Sequence, residues 1–131
     1  MLIPITTTTT LPASAAANTS IMAGSRMTEQ SFTTELLKWA KTYGWRCFHV
    51  RNSGHAGMTA VQGDKGFPDL LCVKGSRWLV AELKVGKTGT KRGDATSDQI
   101  AWLKVLGAVG AEWHVWRPED WSSILAVLSG R

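Results

Sequence analysis

Three charged residues, Asp69, Glu82 and Lys84, occur in segments that otherwise have the composition of buried β-strands. Residues 68–74 (PDLLCVK) and 77–84 (RWLVAELK) consist mainly of leucine, valine and other apolar residues. Asp and Glu are depleted in strands and are rarely buried unless they are paired or bound to a metal. The pattern therefore predicts a divalent-metal site.

The two apolar segments are joined at residues 75–76 (Gly-Ser), which predicts an antiparallel hairpin. Because side chains alternate between the faces of a strand, Glu82 and Lys84 point the same way. Asp69 begins the other arm of the hairpin and would lie opposite a residue near Glu82. The two carboxylates can then bind one Mg²⁺ ion, which takes one or two carboxylates and keeps several waters. Such a metal polarises a phosphate and activates water, while Lys84 would position the water or screen the anionic transition state.

A simpler interpretation exists for each of these charges. Glu82 and Lys84 would then be solvated residues on an exposed face of the sheet, and Asp69 would be a turn residue. However, Trp78 and Val80 share the face of Glu82, and such large apolar side chains indicate that this face is covered. The combined pattern favours the metal site.

Two polar residues on predicted helices each have two interpretations. In the helix predicted over residues 28–43, Glu29 falls on the inward face with Phe32, but a first-turn carboxylate also favours the helix dipole. Gln99 fits a capping box with Thr96, yet helical spacing also directs it inward. The sequence supports both roles for each residue.

Basic residues follow the acidic segment: Lys87, Lys91 and Arg92. The chain has 15 Lys and Arg against 10 Asp and Glu, a net charge of +5, which favours a polyanionic partner. Runs of charge are often simply solvated. Beside a metal site that requires a phosphodiester, they predict contacts with a nucleic-acid backbone. The seven tryptophans are expected mainly to pack the core.

The pattern of elements predicts one α/β domain with a mixed sheet, because 131 residues with 44% hydrophobic content suffice for one core. The predicted order is a helix (28–43), three strands (45–51, 68–74 and 77–84), a helix (97–106), a strand (112–116) and a helix that begins at Pro118. Residues 52–66 and 85–94, rich in glycine, predict a mobile loop and a flexible basic connection.

Residues 1–26 predict a disordered Thr/Ala-rich leader, so the folded domain spans 27–131, with Met27 as an alternative start. The leader lacks the pattern of a secretory signal, and no apolar stretch approaches a membrane span. Cys47 and Cys72 have no zinc-site spacing and are expected to be buried free thiols in a reducing compartment. His49, on a predicted strand, is expected to be structural rather than a substrate contact.

Taken in order, these residues resemble the virus-type replication-repair nuclease (VRR-NUC) domain of the PD-(D/E)XK nuclease superfamily. The resemblance rests on Glu29, Gly66-Phe67-Pro68-Asp69, Glu82-Leu83-Lys84, Ser97-Asp98-Gln99, Trp102-Leu103, Gly110 and Trp116-Arg117-Pro118. It covers residues 28–128 and implies a restriction-endonuclease-like core. It also implies Asp69, Glu82 and the Leu83 carbonyl as ligands of Mg²⁺ or Mn²⁺, Lys84 as the catalytic lysine, and Glu29 and Gln99 as accessory catalytic residues.

The expected activity is metal-dependent hydrolysis of DNA phosphodiesters by an endonuclease. Some similar proteins resemble Holliday junction resolvases and act as homodimers, in replication, repair or recombination in the cytoplasm of bacteria or phage-infected cells. The alternatives are a non-catalytic nucleic-acid-binding module and a nuclease subunit that depends on a partner protein.

Overall fold

The computed structural model describes residues 27–50, 62–90 and 93–130. The leader predicted over 1–26, most of the predicted mobile loop, and Lys91 and Arg92 lie outside the described residues. The elements of the described part are α1 (Glu29–Thr42), β1 (Arg46–His49), β2 (Leu70–Lys74), β3 (Arg77–Leu83), α2 (Ser97–Ala108), β4 (Glu112–Trp116), a 3₁₀ turn (Pro118–Asp120) and α3 (Trp121–Gly130). Their order confirms the predicted order of helices and strands.

The four strands of the described part form one mixed sheet in the order β1-β2-β3-β4. β1, β2 and β3 are antiparallel neighbours, whereas β4 pairs with β3 in parallel. A parallel pair requires a crossover connection, and α2 supplies it. The predicted hairpin is also present: Lys74 pairs with Arg77 across a two-residue turn in which Gly75 has a φ of 60°. The sequence-based prediction of an α/β domain with a mixed sheet is therefore confirmed.

Helix α1 has clear signals at both ends. Thr28 and Ser31 form a capping box, in which the Thr28 hydroxyl accepts a hydrogen bond from the Ser31 amide at 3.0 Å. Gly44 follows the helix with a φ of 92°, a backbone conformation that glycine adopts without strain. Between these ends, Phe32 and Leu36 on the predicted apolar stripe are fully buried. The helix thus packs on the sheet along that stripe.

Apolar side chains cover both faces of β3. Leu79, Ala81 and Leu83 pack in the same core as residues of α1 and α3. On the opposite face, Val80 packs with Leu103 of α2, and Trp78 is packed against them. The prediction that the face of Glu82 is covered is therefore confirmed.

Most of the tryptophans pack in the interior, as predicted. Those that are buried are Trp39, Trp45, Trp116 and Trp121, whereas Trp113 is 42% exposed. Both cysteines are free thiols as predicted, and Cys72 is buried, but the burial predicted for Cys47 is wrong. Cys47 is only half-buried because β1 lies at the edge of the sheet. None of the helices in the described ranges has the length and hydropathy needed to cross a membrane.

Candidate metal centre

Asp69 and Glu82 form a cross-strand pair at the open end of the β2-β3 hairpin. Leu70 pairs with Ala81, so the next position in the register places Asp69 opposite Glu82. The Leu83 amide points towards β2 and donates to Asp69 Oδ2 at 3.0 Å. Main-chain groups alternate in direction along a strand, so the main chain of Glu82 points away from β2. Asp69 and Glu82 therefore occupy a non-hydrogen-bonded position, where opposite side chains approach most closely.

Glu82 is a buried carboxyl group with an incomplete set of hydrogen bonds. Glu82 is only 1% exposed, and its Oε1 accepts a hydrogen bond from Gln99 Nε2 at 3.0 Å. Its Oε2 is buried and has no hydrogen-bond partner among the described residues. The pKa of Glu82 is raised to about 9, mainly by burial and then by the adjacent Asp69 carboxyl group, with a smaller contribution from Glu29. The positive charge of Lys84 acts in the opposite direction on this pKa.

A facing pair of carboxylates provides hydrogen-bond acceptors only. Burial disfavours the ionised form of Glu82, and without a proton or a cation between them the two carboxylates also repel each other, so the protonated form of Glu82 is favoured. A divalent cation would remove this repulsion and would give the buried Oε2 of Glu82 a partner. The buried Oε2 atom of Glu82, which has no hydrogen-bond partner in the described part of the chain, is therefore the observation that indicates a metal ligand.

Gln99 has both of the roles that its sequence position allows. It is the third residue of α2, where its Oε1 accepts from the Thr96 amide at 2.8 Å and its own amide donates to the Thr96 hydroxyl at 3.2 Å. Because Oε1 is used by the cap, Nε2 is directed to Glu82. The capping box thereby fixes the orientation of the amide that binds the buried carboxyl group.

The main chain at Leu83 offers a further oxygen. The amide and carbonyl of one strand residue point to the same side, so the Leu83 carbonyl faces β2, as its amide does. Continuing the register places Pro68 opposite Leu83. Proline has no N–H group and cannot complete the ladder at this position. The Leu83 carbonyl is therefore directed beside Asp69 at a position where the opposite residue lacks a donor.

The oxygen donors at this site have the chemistry of a hard divalent cation. Two carboxylates and one main-chain carbonyl suit Mg²⁺ or Mn²⁺ better than a soft metal, which prefers thiolates. No group of three or more His, Cys, Asp or Glu residues forms a metal-ligand cluster within the described ranges. The other ligands of a metal held by Asp69 and Glu82 would thus be main-chain oxygen, water and a phosphate of the substrate.

A cleft of about 560 Å³ opens beside Asp69. Its lining includes Glu29 and Thr34 of α1 and His49 at the end of β1. Glu29 was predicted to point towards the sheet, and this prediction is only partly right. It begins α1 and is exposed, yet it lines the same cleft as Asp69. Glu29 therefore stands at the entrance of the site and acts on Glu82 through its charge.

His49, which the sequence predicted to be structural rather than a substrate contact, lies beside the site. It is half-buried, it lines the cleft, and it pairs with Leu70, the residue after Asp69. The Val50 amide next to it donates to the Asp69 carbonyl at 3.0 Å. His49 ends β1, and β1 pairs with β2, the strand that follows Asp69. The sequence could have indicated that His49 lies near Asp69 only if the register of β1 with β2 had been known.

Lys84 follows directly after β3, and its amide donates to the Trp116 carbonyl at 2.9 Å. The Lys84 side chain is half-buried, and its positive charge lowers the pKa of Glu82. Lys87, further on, is exposed. The other two predicted DNA contacts, Lys91 and Arg92, lie outside the described residues.

The connection after β3 is organised by hydrogen bonds where the structure describes it. The carboxylate of Asp94 accepts from the Gly89 amide at 3.0 Å and forms an ion pair with Arg117 at 3.5 Å. The Thr90 amide donates to the Lys87 carbonyl at 3.3 Å. Exposed Lys87 is therefore part of a turn whose other end is tied to the segment after β4.

The segment that leads into Asp69 packs against α2. Gly66 has a φ of 98°, and a Cβ atom there would lie 2.7 Å from the Asp98 main chain, so only glycine fits without a shift. Trp102 of α2 donates to the Asp64 carbonyl at 3.2 Å and contacts the ring of Phe67 edge to face. The helix that presents Gln99 to Glu82 therefore also holds the approach to Asp69.

Comparisons of the chain with models of protein families, with curated proteins and with solved structures found no match.

Proposed function

We propose that the protein is a Mg²⁺- or Mn²⁺-dependent DNA endonuclease with a restriction-endonuclease-like core, as the resemblance of its motifs to the VRR-NUC domain implies. The observation that carries this proposal is the acidic pair of Asp69 and Glu82, whose buried Oε2 atom has no partner, with the charge of Lys84 beside it. A protein that only bound nucleic acid would gain nothing from two adjacent carboxylates near a phosphate, because they would repel it.

In this proposal each residue has a defined role. Asp69, Glu82 and the Leu83 carbonyl hold the cation, and Gln99 orients Glu82 through a 3.0 Å hydrogen bond. A cation held there would supply a water ligand of lowered pKa and would polarise the scissile phosphate. Lys84 positions the attacking water and screens the anionic transition state.

The cleft beside Asp69 gives a DNA strand access to this pair, and Glu29 and His49 line its wall. The net charge of +5 favours a polyanionic substrate. Exposed Lys87, together with Lys91 and Arg92, would contact DNA phosphates outside the reaction centre.

The test is a cleavage assay of the full chain with labelled linear, flap and four-way DNA, with and without Mg²⁺ or Mn²⁺. We expect metal-dependent cleavage of at least one of these substrates, and loss of cleavage in Asp69→Asn and Lys84→Met. The matched controls are Asp98→Asn and Lys104→Met, which change the same residue types at exposed or half-exposed positions of α2. Circular dichroism confirms that each variant is folded.

Different outcomes separate the proposal from its alternatives. Binding of DNA by wild type without cleavage, and without Mn²⁺ binding by calorimetry, would indicate a binding module. Metal binding that is lost in Asp69→Asn, with cleavage only after a cell extract is added, would indicate a subunit that needs a partner. Cleavage by Asp69→Asn at the wild-type rate would disprove the assigned site.

A further inference from the structure

Cys47 and Cys72 lie directly opposite each other in the antiparallel pair of β1 and β2. The hydrogen-bonding phase of this pair follows from the bond between the Val50 amide and the Asp69 carbonyl, which are also opposite each other. Hydrogen-bonded and non-hydrogen-bonded positions alternate along an antiparallel pair. Counting back from Val50, the position of Cys47 is non-hydrogen-bonded.

This position brings the two thiols close together. Opposite Cα atoms at a non-hydrogen-bonded position are about 4.5 Å apart, within the range of roughly 4.4–6.8 Å that a disulfide spans. Both cysteines belong to the same apolar core on the α1 side of the sheet, so their side chains share a face. Both are free thiols. The register of β1 and β2 is therefore compatible with a disulfide between them.

The two thiols differ in access. Cys72 is fully buried, whereas Cys47 is half-buried on the edge strand. A surface groove of about 520 Å³ is lined by Cys47 together with the basic residues Lys41 and Arg46. A small oxidant can therefore reach Cys47 first, and positive charge in the groove favours its thiolate.

The hydrogen bond between the thiols distinguishes them in the same way. It lowers the pKa of Cys47, and it raises the pKa of Cys72, with burial raising the latter further. The more accessible thiol is also the one that ionises more readily, which is the property of an attacking cysteine.

We propose that Cys47 and Cys72 form a reversible intramolecular disulfide when the protein meets a hydroperoxide. The Cys47 thiolate attacks one peroxide oxygen, the O–O bond breaks, and a sulfenic acid and hydroxide form. The Cys72 thiol then attacks the Cys47 sulfur, the S–O bond breaks, and water leaves as the S–S bond forms. In total, two thiols are oxidised and one hydrogen peroxide is reduced to two waters. A small dithiol reverses the reaction.

The experiment treats the reduced full chain with stoichiometric hydrogen peroxide and follows intact mass and iodoacetamide labelling. Because the chain contains only two cysteines, an intramolecular disulfide can join only this pair. We expect a monomer that has lost two hydrogen atoms and no longer reacts with iodoacetamide, and full recovery with dithiothreitol. We expect Tm to rise by roughly 5 °C or more upon oxidation, because the crosslink restricts the unfolded chain.

Two variants serve as controls, Cys72→Ala and Cys47→Ala. With peroxide, Cys72→Ala should accumulate a sulfenic acid at Cys47 that dimedone traps, whereas Cys47→Ala should react on the order of tenfold more slowly. The proposal is wrong if wild type keeps two reactive thiols after treatment, or if it forms only disulfide-linked dimers. None of these readouts uses DNA or a metal, so the result is independent of the proposed nuclease activity.

Discussion

The two ends of β3 place a glutamate in opposite electrostatic surroundings. Where β3 begins, Arg77 binds Glu112 of β4 through two hydrogen bonds of 2.8 and 2.7 Å. This bidentate contact lowers the pKa of Glu112 and raises that of Arg77. Where β3 ends, burial raises the pKa of Glu82 to about 9, and the carboxyl group of Asp69 contributes to the same shift.

In the proposed function, this difference separates a structural charge from a functional one. Glu112 has its counter-ion in the neighbouring side chain of Arg77 and needs nothing from outside the protein. Glu82 has an acidic neighbour and a buried oxygen without a hydrogen bond, so a cation bound at that oxygen would stabilise its ionised form. Perturbed carboxyl groups of this kind are typical of functional sites.

The most direct way to test this comparison is the same substitution at both ends of β3. We expect Glu82→Gln to reduce DNA cleavage by on the order of 10³-fold or more, because a neutral amide is a poor ligand for Mg²⁺. Glu112→Gln should keep the cleavage rate within about twofold and lower only the stability. Rates measured under single-turnover conditions at saturating Mg²⁺ provide the check. Equal rates for the two variants would contradict the distinction.

Gln99 tests whether the orientation of Glu82 matters. Gln99→Leu removes the hydrogen bond to Glu82 and the acceptor for the Thr96 amide. We expect Mn²⁺ affinity, measured by calorimetry, to fall by roughly 10- to 100-fold, the usual effect of losing a group that orients a ligand. Thr96→Ala removes only the other half of the capping box and is the matched control. If both variants weaken Mn²⁺ binding equally, the effect comes from the helix end.

The pH dependence of stability provides a third test. The folded-state pKa of Glu82, about 9, lies above its ordinary value of 4.5, so the unfolded chain releases this proton first as pH rises. The contribution of Glu82 to stability is therefore complete below pH 4.5 and is lost as pH rises towards 9.

The stability advantage of Glu82→Gln over wild type should then grow between pH 5 and pH 9, by roughly 1 kcal/mol or more in metal-free buffer. Urea unfolding at several pH values measures this difference. Adding Mg²⁺ at pH 8 should stabilise wild type and leave the variant unchanged, because ligand binding stabilises only the state that binds. A difference between the two proteins that does not change with pH would show that Glu82 is ionised in the folded protein.

We expect the smallest effect from a substitution at the start of β3, where Arg77 neutralises Glu112. Arg77→Lys keeps the charge but loses the two-point contact with Glu112 and the stacking of the guanidinium on the Trp45 ring. Both partners of the ion pair are partly exposed, so we expect a loss of only about 0.5–1 kcal/mol in urea unfolding. Cleavage should not change. A loss of cleavage comparable to that of Glu82→Gln would contradict the distinction between a structural charge at the start of β3 and a functional one at its end.

Local patterns in the sequence predicted much of the fold. Strand alternation placed Glu82 on a covered face, the Gly-Ser pair located the hairpin turn, and Gln99 matched a capping box that is present. Each of these features depends on residues close together in the chain. The side-chain geometry of a strand or a helix end is then sufficient.

The parts of the site that the sequence did not reveal depend on contacts between distant segments. The exposure of Glu29 depends on where α1 begins relative to the sheet, and the place of His49 depends on the register of β1 with β2. Gly66 was predicted to belong to a mobile loop, whereas its close approach to Asp98 follows from the packing of that segment on α2. Hydrophobic periodicity carries no information on such contacts.

The side-chain amide of Gln99 couples two local equilibria, because it bonds to both Thr96 and Glu82. One is the fraying of the first turn of α2, which the bond to Thr96 opposes, and the other is the choice of proton or cation by Glu82. Groups linked in this way influence each other reciprocally, with the same coupling free energy in both directions. A cation bound at Glu82 should therefore slow hydrogen exchange at the Thr96 amide, so that the start of a helix reports on the occupancy of the site.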